Sequence, residues 1–181
     1  MKKYLLLTLT ILMSVMIFAQ TTQLPGRVFY VEAGGPGIGL SANYDWRLNP
    51  MDRLGPGFRV GFGIRTDVNE EWDEDHGFWT NQKAVLTIPF GVNHILGTQN
   101  DHRAFEIGLT FIISSVKMSP YTFEEFRKNS HTSHINGSFS AMYRIAPFNG
   151  GFTFRAGITP VFNFHGDASL FRPAIGIGHT F

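Results

Sequence analysis

Along most of this chain apolar and polar residues take turns. From Phe58 onward, Phe58, Val60, Phe62, Ile64 and Val68 fall on one parity, with Gly57, Arg59, Gly61, Gly63, Arg65 and Asp67 on the other. The period recurs in Ala84, Leu86, Ile88, Phe90, Val92 and Leu96 against Lys83, Thr87, Gly91 and Asn93. It recurs again in Phe105, Ile107, Leu109, Phe111 and Ile113 against Glu106, Gly108 and Thr110, and in Ile135, Phe139, Ala141, Tyr143 and Ile145 against Asn136, Ser138, Ser140 and Arg144. Two further runs, Phe152 to His165 and Phe171 to Phe181, carry it to the last residue. Side chains two residues apart share one face of a strand, so each run predicts a strand with a single apolar face.

The front of the chain alternates as well. Ile38, Leu40, Ala42, Tyr44, Trp46 and Leu48 share a parity, as do Phe29, Val31 and Ala33. Between them "GGPG" reads either as a tight hairpin or as a bend in one long strand. The connections are of two kinds. "NPMDRLG", "GTQNDH" and "APFNGG" are short, whereas "NEEWDEDHGFWTNQ" and "MSPYTFEEFRKNSHTSH" are long, polar and aromatic. Short and long connections alternate in this way in outer-membrane barrels, the short ones facing the periplasm. An N-terminus left on the short-turn side then requires a first strand at Val28–Gly34, with "GGPG" and "GDASL" as further outer connections. The expectation is all-β: a closed, eight-stranded, antiparallel transmembrane barrel spanning residues 28–181.

Alternation alone also suits a soluble, lipocalin-like barrel with apolar residues inside. The polar face separates the two. It is dominated by Gly, Ser, Thr and Asn, with Glu32, Asp45, Asp67 and Glu106 interspersed among Arg47, Arg59, Arg65, Lys83, Arg144, Arg155 and Arg172. A solvated outer face would carry more Lys and Glu and less Gly. Small residues mixed with paired charges suit a narrow lumen, where inward side chains must fit together. These eleven charged residues are therefore expected to form a lumenal network that fills the barrel; a narrow pore is the alternative. Tyr44, Trp46, Tyr143 and Phe152 fall near the short turns, as an interfacial aromatic girdle requires.

The N-terminus supplies an expected compartment. Lys2 and Lys3 precede an apolar stretch from Tyr4 to Phe18 and a small residue, Ala19. Residues 1–19 thus read as a cleaved signal peptide and 20–27 as a lead-in. There is no cysteine, so neither a lipidated cysteine nor a disulfide framework is available. A formal net charge of +1 does not suit a nucleic-acid partner.

The final strand places Ile175, Ile177, His179 and Phe181 on one face with Gly176 facing inward. Together with the signal segment and the alternating connections, this resembles the small outer-membrane β-barrel domain family of Gram-negative bacteria. The resemblance implies that Gly176, Ile177, His179 and Phe181 act as an assembly signal read by the barrel-assembly machinery. It also implies a surrounding of outer-membrane lipid and lipopolysaccharide, and a structural or interaction role through the outer loops. Position 179 is often tyrosine in that pattern and is histidine here.

Other chemistry is sparse. The acidic run Asp67, Glu70, Glu71, Asp73, Glu74, Asp75 with His76 could offer oxygens to a hard cation but lacks the spacing of a calcium loop, so a solvated loop is expected. His131 and His134 beside Ser130 and Ser133, with Glu124 and Glu125 upstream, leave a lipid-modifying enzyme as a further alternative. The reading is non-enzymatic, with no cofactor and no metal.

Overall fold

The computed structural model describes residues 26–73, 77–118, 132–148, 150–169 and 172–181, and between 67 and 83 the backbone alone. The signal segment and His131 lie outside them. The strands are β1 (Arg27–Gly34), β2 (Gly39–Arg47), β3 (Gly55–Asp73), β4 (Gly77–Gly97), β5 (Arg103–Met118), β6 (Ser133–Ile145), β7 (Gly151–Ile158), β8 (Val161–Asn163), β9 (Ala168–Ser169) and β10 (Pro173–Thr180). All pairings are antiparallel, and β1 pairs with β10, so the sheet closes on itself as an eight-stranded barrel.

The seventh strand of that barrel, read from the sequence as one run, is divided into β7 and β8 at Thr159 and Pro160. Proline has no N–H to give to a ladder. The gap is bridged from both sides: Phe139 donates its N–H to the Pro160 carbonyl at 3.1 Å, and Thr159 donates to the Arg172 carbonyl at 2.7 Å. Parity survives the break, with Val161 and Asn163 buried like Thr159. The "GDASL" connection contains β9, which pairs with β8.

Burial is inverted relative to a soluble protein. Outward Phe62 and Ile177 are 54% and 57% exposed, whereas inward Glu32, Asp45 and Glu106 are 0% exposed. Alternation produces this directly: on β1, Phe29 and Val31 face out while Val28, Tyr30 and Glu32 face in.

Two connections differ from the sequence reading. The stretch "NEEWDEDHGFWTNQ" is mostly strand rather than loop, since β3 and β4 stay in register from Asp67↔Lys83 to Asp73↔Gly77. Among the described residues β2 leaves β3 at Ile64 and β5 leaves β4 at Thr87, so Arg65–Asp73 and Gly77–Leu86 form a two-stranded ribbon. At about 3.4 Å per residue this ladder is roughly 30 Å long, and it begins inside the barrel mouth, where Val85 is buried.

The second difference is "GGPG". It is a hairpin turn, with Gly34↔Gly39 as its last pair, but it does not stand out into solvent. Gly35, Pro36, Gly37 and Ile38 are all buried, folded into the barrel mouth on the ribbon side. Ile38 sits at φ 68°. A β-branched residue there crowds the following carbonyl, at a cost of about 1–2 kcal/mol. Its side chain packs with Val85, Ile112, Met118 and Val161. Gly63 leaves the space for this turn, because a Cβ at 63 would lie 2.4 Å from Thr87 Oγ1 and 2.7 Å from the Gly37 carbonyl.

Candidate functional site: the charged lumen

Below the tucked turn, inward positions of five strands bring six charged side chains into one chain of ion pairs. Arg47 and Arg144 both hold Asp45, the latter at 2.6 Å. Arg144 also meets Glu106 at 2.7 Å, Arg155 meets Glu106 at 3.0 Å, and Arg155 meets Glu32 at 3.1 Å. The charges alternate in sign from the short-turn end, at Arg47, towards the ribbon end, at Glu32. All are nearly or wholly buried. A buried ion is stable only if paired and hydrogen-bonded, and alternation gives each inner member two partners of opposite sign.

Uncharged residues complete the network. Asn93 accepts from Arg47 and donates to Glu106 at 3.2 Å, so one amide joins two ion pairs. Arg155 lies over the Tyr30 ring, 4.4 Å from its centroid, a cation–π geometry. Arg59 has no carboxylate among its described hydrogen-bond partners. It donates to the Tyr30 hydroxyl (3.1 Å), Thr110 Oγ1 (2.8 Å) and Ser140 Oγ (3.4 Å). Arg47, Arg59, Arg144 and Arg155 face Glu32, Asp45 and Glu106, so the set carries one excess positive charge.

The remaining lumenal candidates are elsewhere. Arg172 does not join the ladder; its Nη2 donates to the Ile38 carbonyl at 2.9 Å, and Arg65 is its charged neighbour. Asp67 and Lys83 are register partners on the ribbon, with their side chains outside the description. Tyr30, Asn93, Thr110 and Ser140 were not singled out from the sequence. Tyr30 could have been found, since it shares parity with Glu32.

The short-turn end is closed by a residue the pattern also missed. Arg53, in the β2–β3 turn, donates to the carbonyls of Ala146 (3.1 Å), Thr98 (2.9 Å), Gln99 (3.2 Å) and Asp101. One guanidinium thereby ties together the β2–β3, β4–β5 and β6–β7 turns. Its Cζ lies 4.3 Å from the centroid of the Phe148 ring, and Phe148 in turn lies tilted against His102, with centroids 4.1 Å apart. Neighbouring Asp52 accepts from the Leu54 N–H and from Gln99 Nε2, which hold its carboxyl below the usual range. Among the described residues the lumen thus carries three layers of side chains and backbone: the Arg53 cap, the charge ladder and the tucked turn.

The proposed assembly signal lies along the seam. Gly176 faces in opposite Glu32, Ile177 faces out opposite Val31, and His179 lies opposite Phe29. Phe181 donates its N–H to the Arg27 carbonyl at 3.0 Å. Its ring is 6.2 Å from Tyr44 and 6.5 Å from His179; Tyr44 and Trp46 are 5.7 Å apart, and Trp46 and Phe58 5.8 Å. His179 therefore stands in an aromatic row at the short-turn end, where an imidazole keeps the stacking that tyrosine would supply.

Catalytic geometry is not present in the described part of "HTSH". Ser133 Oγ donates to the Ile135 carbonyl, and His134 Nδ1 lies 3.1 Å from the Ser114 carbonyl. Adjacent residues of a strand point to opposite faces, so Ser133 and His134 do not form a dyad. Among the described residues no group of three or more His, Asp or Glu side chains could hold a metal ion; the acidic run's side chains lie outside them. Comparison with known proteins finds no matching family model, no matching curated protein and no matching solved structure.

Proposed function

We propose that this chain is an integral outer-membrane barrel of a Gram-negative bacterium, with the short turns in the periplasm and the β3–β4 ribbon outside. Its lumen is filled rather than conducting, and it acts as a structural or interaction protein through the connections at the ribbon end. The observation that carries this reading is the inverted burial: a band of half-exposed Phe, Ile, Val and Leu encircles a barrel whose interior is charged. Hydrocarbon is the solvent that stabilises such a surface, and a closed barrel leaves no unpaired strand edge within it. The aromatic row from His179 to Phe58 suits an interfacial girdle. A soluble ligand-binding barrel would need an apolar interior of comparable extent, and here the middle of the lumen is occupied by four guanidiniums. No catalytic or cofactor role is assigned.

The test is fractionation of cells expressing the full chain, combined with surface proteolysis. The expected result is a heat-modifiable species in the outer-membrane fraction, clipped only within residues 65–86 or the other ribbon-end connections. Recovery as a soluble periplasmic protein overturns the reading.

A further inference from the structure

We propose that the ribbon-end mouth of the lumen is a binding site for a single-chain fatty carboxylate, which the Gly35–Ile38 turn occupies as a built-in surrogate. The site is read from the lumen alone and does not depend on where the barrel resides. Ile38 presents a head and a tail to the same small volume. Its side chain fills an apolar cup of Val85, Ile112, Met118 and Val161, all buried. Its carbonyl takes the Arg172 guanidinium at 2.9 Å, while the adjacent Gly37 carbonyl takes the Thr87 hydroxyl at 2.8 Å. Two donors therefore hold successive carbonyls of a turn whose side chain fills an aliphatic cup.

The match between turn and site is incomplete in two respects, and both favour exchange. Arg172 is 6% exposed, and the acceptor it meets among the described residues is a neutral carbonyl. Charge-assisted pairing is stronger than donation to a neutral oxygen. Ile38 is also held in the left-handed region, so release of the turn relieves a conformation that disfavours β-branched residues. Gly34 and Gly35, with φ of 77° and 60°, are the joints on which it can swing out. A carboxylate then replaces the two carbonyls at Arg172 and Thr87, and its alkyl chain replaces the Ile38 side chain. The turn acts as an autoinhibitory contact, since ligand affinity is lowered by the fraction of barrels in which the site is already filled.

The experiment uses the full chain in phosphatidylcholine nanodiscs with methyl-labelled Ile and Met, titrated with octanoate, octanol and acetate. Octanoate should shift the Ile38 and Met118 methyls saturably, octanol at least tenfold more weakly, and acetate not at all. Ile38→Gly, which removes both the surrogate tail and the unfavourable conformation, should bind octanoate at least tenfold more tightly, read at Met118. Arg172→Gln should abolish the difference between octanoate and octanol. Should Arg172→Gln fail to assemble, the Ile38→Gly titration decides alone. Equal response to octanoate and octanol, or unchanged octanoate affinity in Ile38→Gly, overturns the proposal.

Discussion

Glu106 is the group on which the ladder depends most, and replacing it by glutamine tests whether the lumenal charges are bound together as a set. Glu106 is fully buried, 2.7 Å from Arg144, and accepts from Arg155 at 3.0 Å and from Asn93 at 3.2 Å. Glutamine keeps the shape but removes the charge and turns one oxygen into a donor that faces a guanidinium. The lumen then holds four guanidiniums and two carboxylates. Removing one partner of a buried pair costs about 3–5 kcal/mol. That is a large part of a typical stability of about 5–15 kcal/mol. The assay is urea titration of the purified barrel in lipid vesicles, with folded and unfolded forms separated by their heat-modifiable mobility. The double variant Glu106→Gln/Arg144→Gln restores the charge balance, leaves Asp45 with Arg47, and should lose less than the two single losses added, by about 0.5–3 kcal/mol. A loss below about 1 kcal/mol for Glu106→Gln, or strict additivity in the double variant, refutes the ladder as an energetic unit.

Arg at Val60 or Phe62, both outward, at least 40% exposed and near the middle of the barrel part of β3, should cut outer-membrane levels of folded barrel, since charge on a lipid-facing position costs about 2–4 kcal/mol at mid-depth; tolerance equal to that of a ribbon-end connection would count against lipid contact. Gly63→Ser should destabilise strongly in the same urea titration, because its Cβ would press on Thr87 and the Gly37 carbonyl; a neutral effect would mean that the turn does not sit in the mouth. Deleting Phe181 should lower assembled barrel far more than Phe152→Ala at matched expression, as it removes the bond to Arg27 and the ring beside Tyr44. Arg53→Gln should speed hydrogen exchange at Asp101, Ala146 and their neighbours without displacing β3; unchanged protection there would show that the turns hold themselves.

The strand faces were legible because the outer surface and the lumen of the barrel carry opposite chemistry on successive residues, so runs such as Phe58–Ile64 carry the fold on their surface. The ribbon was not legible for the same reason. Glu70, Glu71, Trp72 and Asp73 show no apolar–polar alternation, and a ladder held by backbone bonds needs none. Tyr30 falls on the inward parity of Glu32, but parity does not show that its hydroxyl takes the Arg59 guanidinium. Arg53 lies in a turn, where periodicity has no meaning. Ladder members could be named from parity, but not their pairing: Asp45 and Arg144 are 99 residues apart, and only closure brings them together.

The seam between β1 and β10 has a consequence for error in assembly. Gly178 lies opposite Tyr30, and a Cβ there would come within 2.4 Å of the Tyr30 Cβ and 2.3 Å of the Phe29 carbonyl. Gly176 likewise lies opposite Glu32, against the Arg155 side chain. A slip of one residue would turn the whole of β10 over, driving Ile175 and Ile177 into the space of Arg155 and Tyr30 and setting Thr180 on the apolar outer face. A slip of two keeps the faces but brings Thr180 against Tyr30 in one direction, or Ala174 against Glu32 in the other, in place of a glycine. The joint is therefore keyed like a lock with two notches: a wrongly aligned end strand is rejected by volume, independently of the ion pairs of the interior.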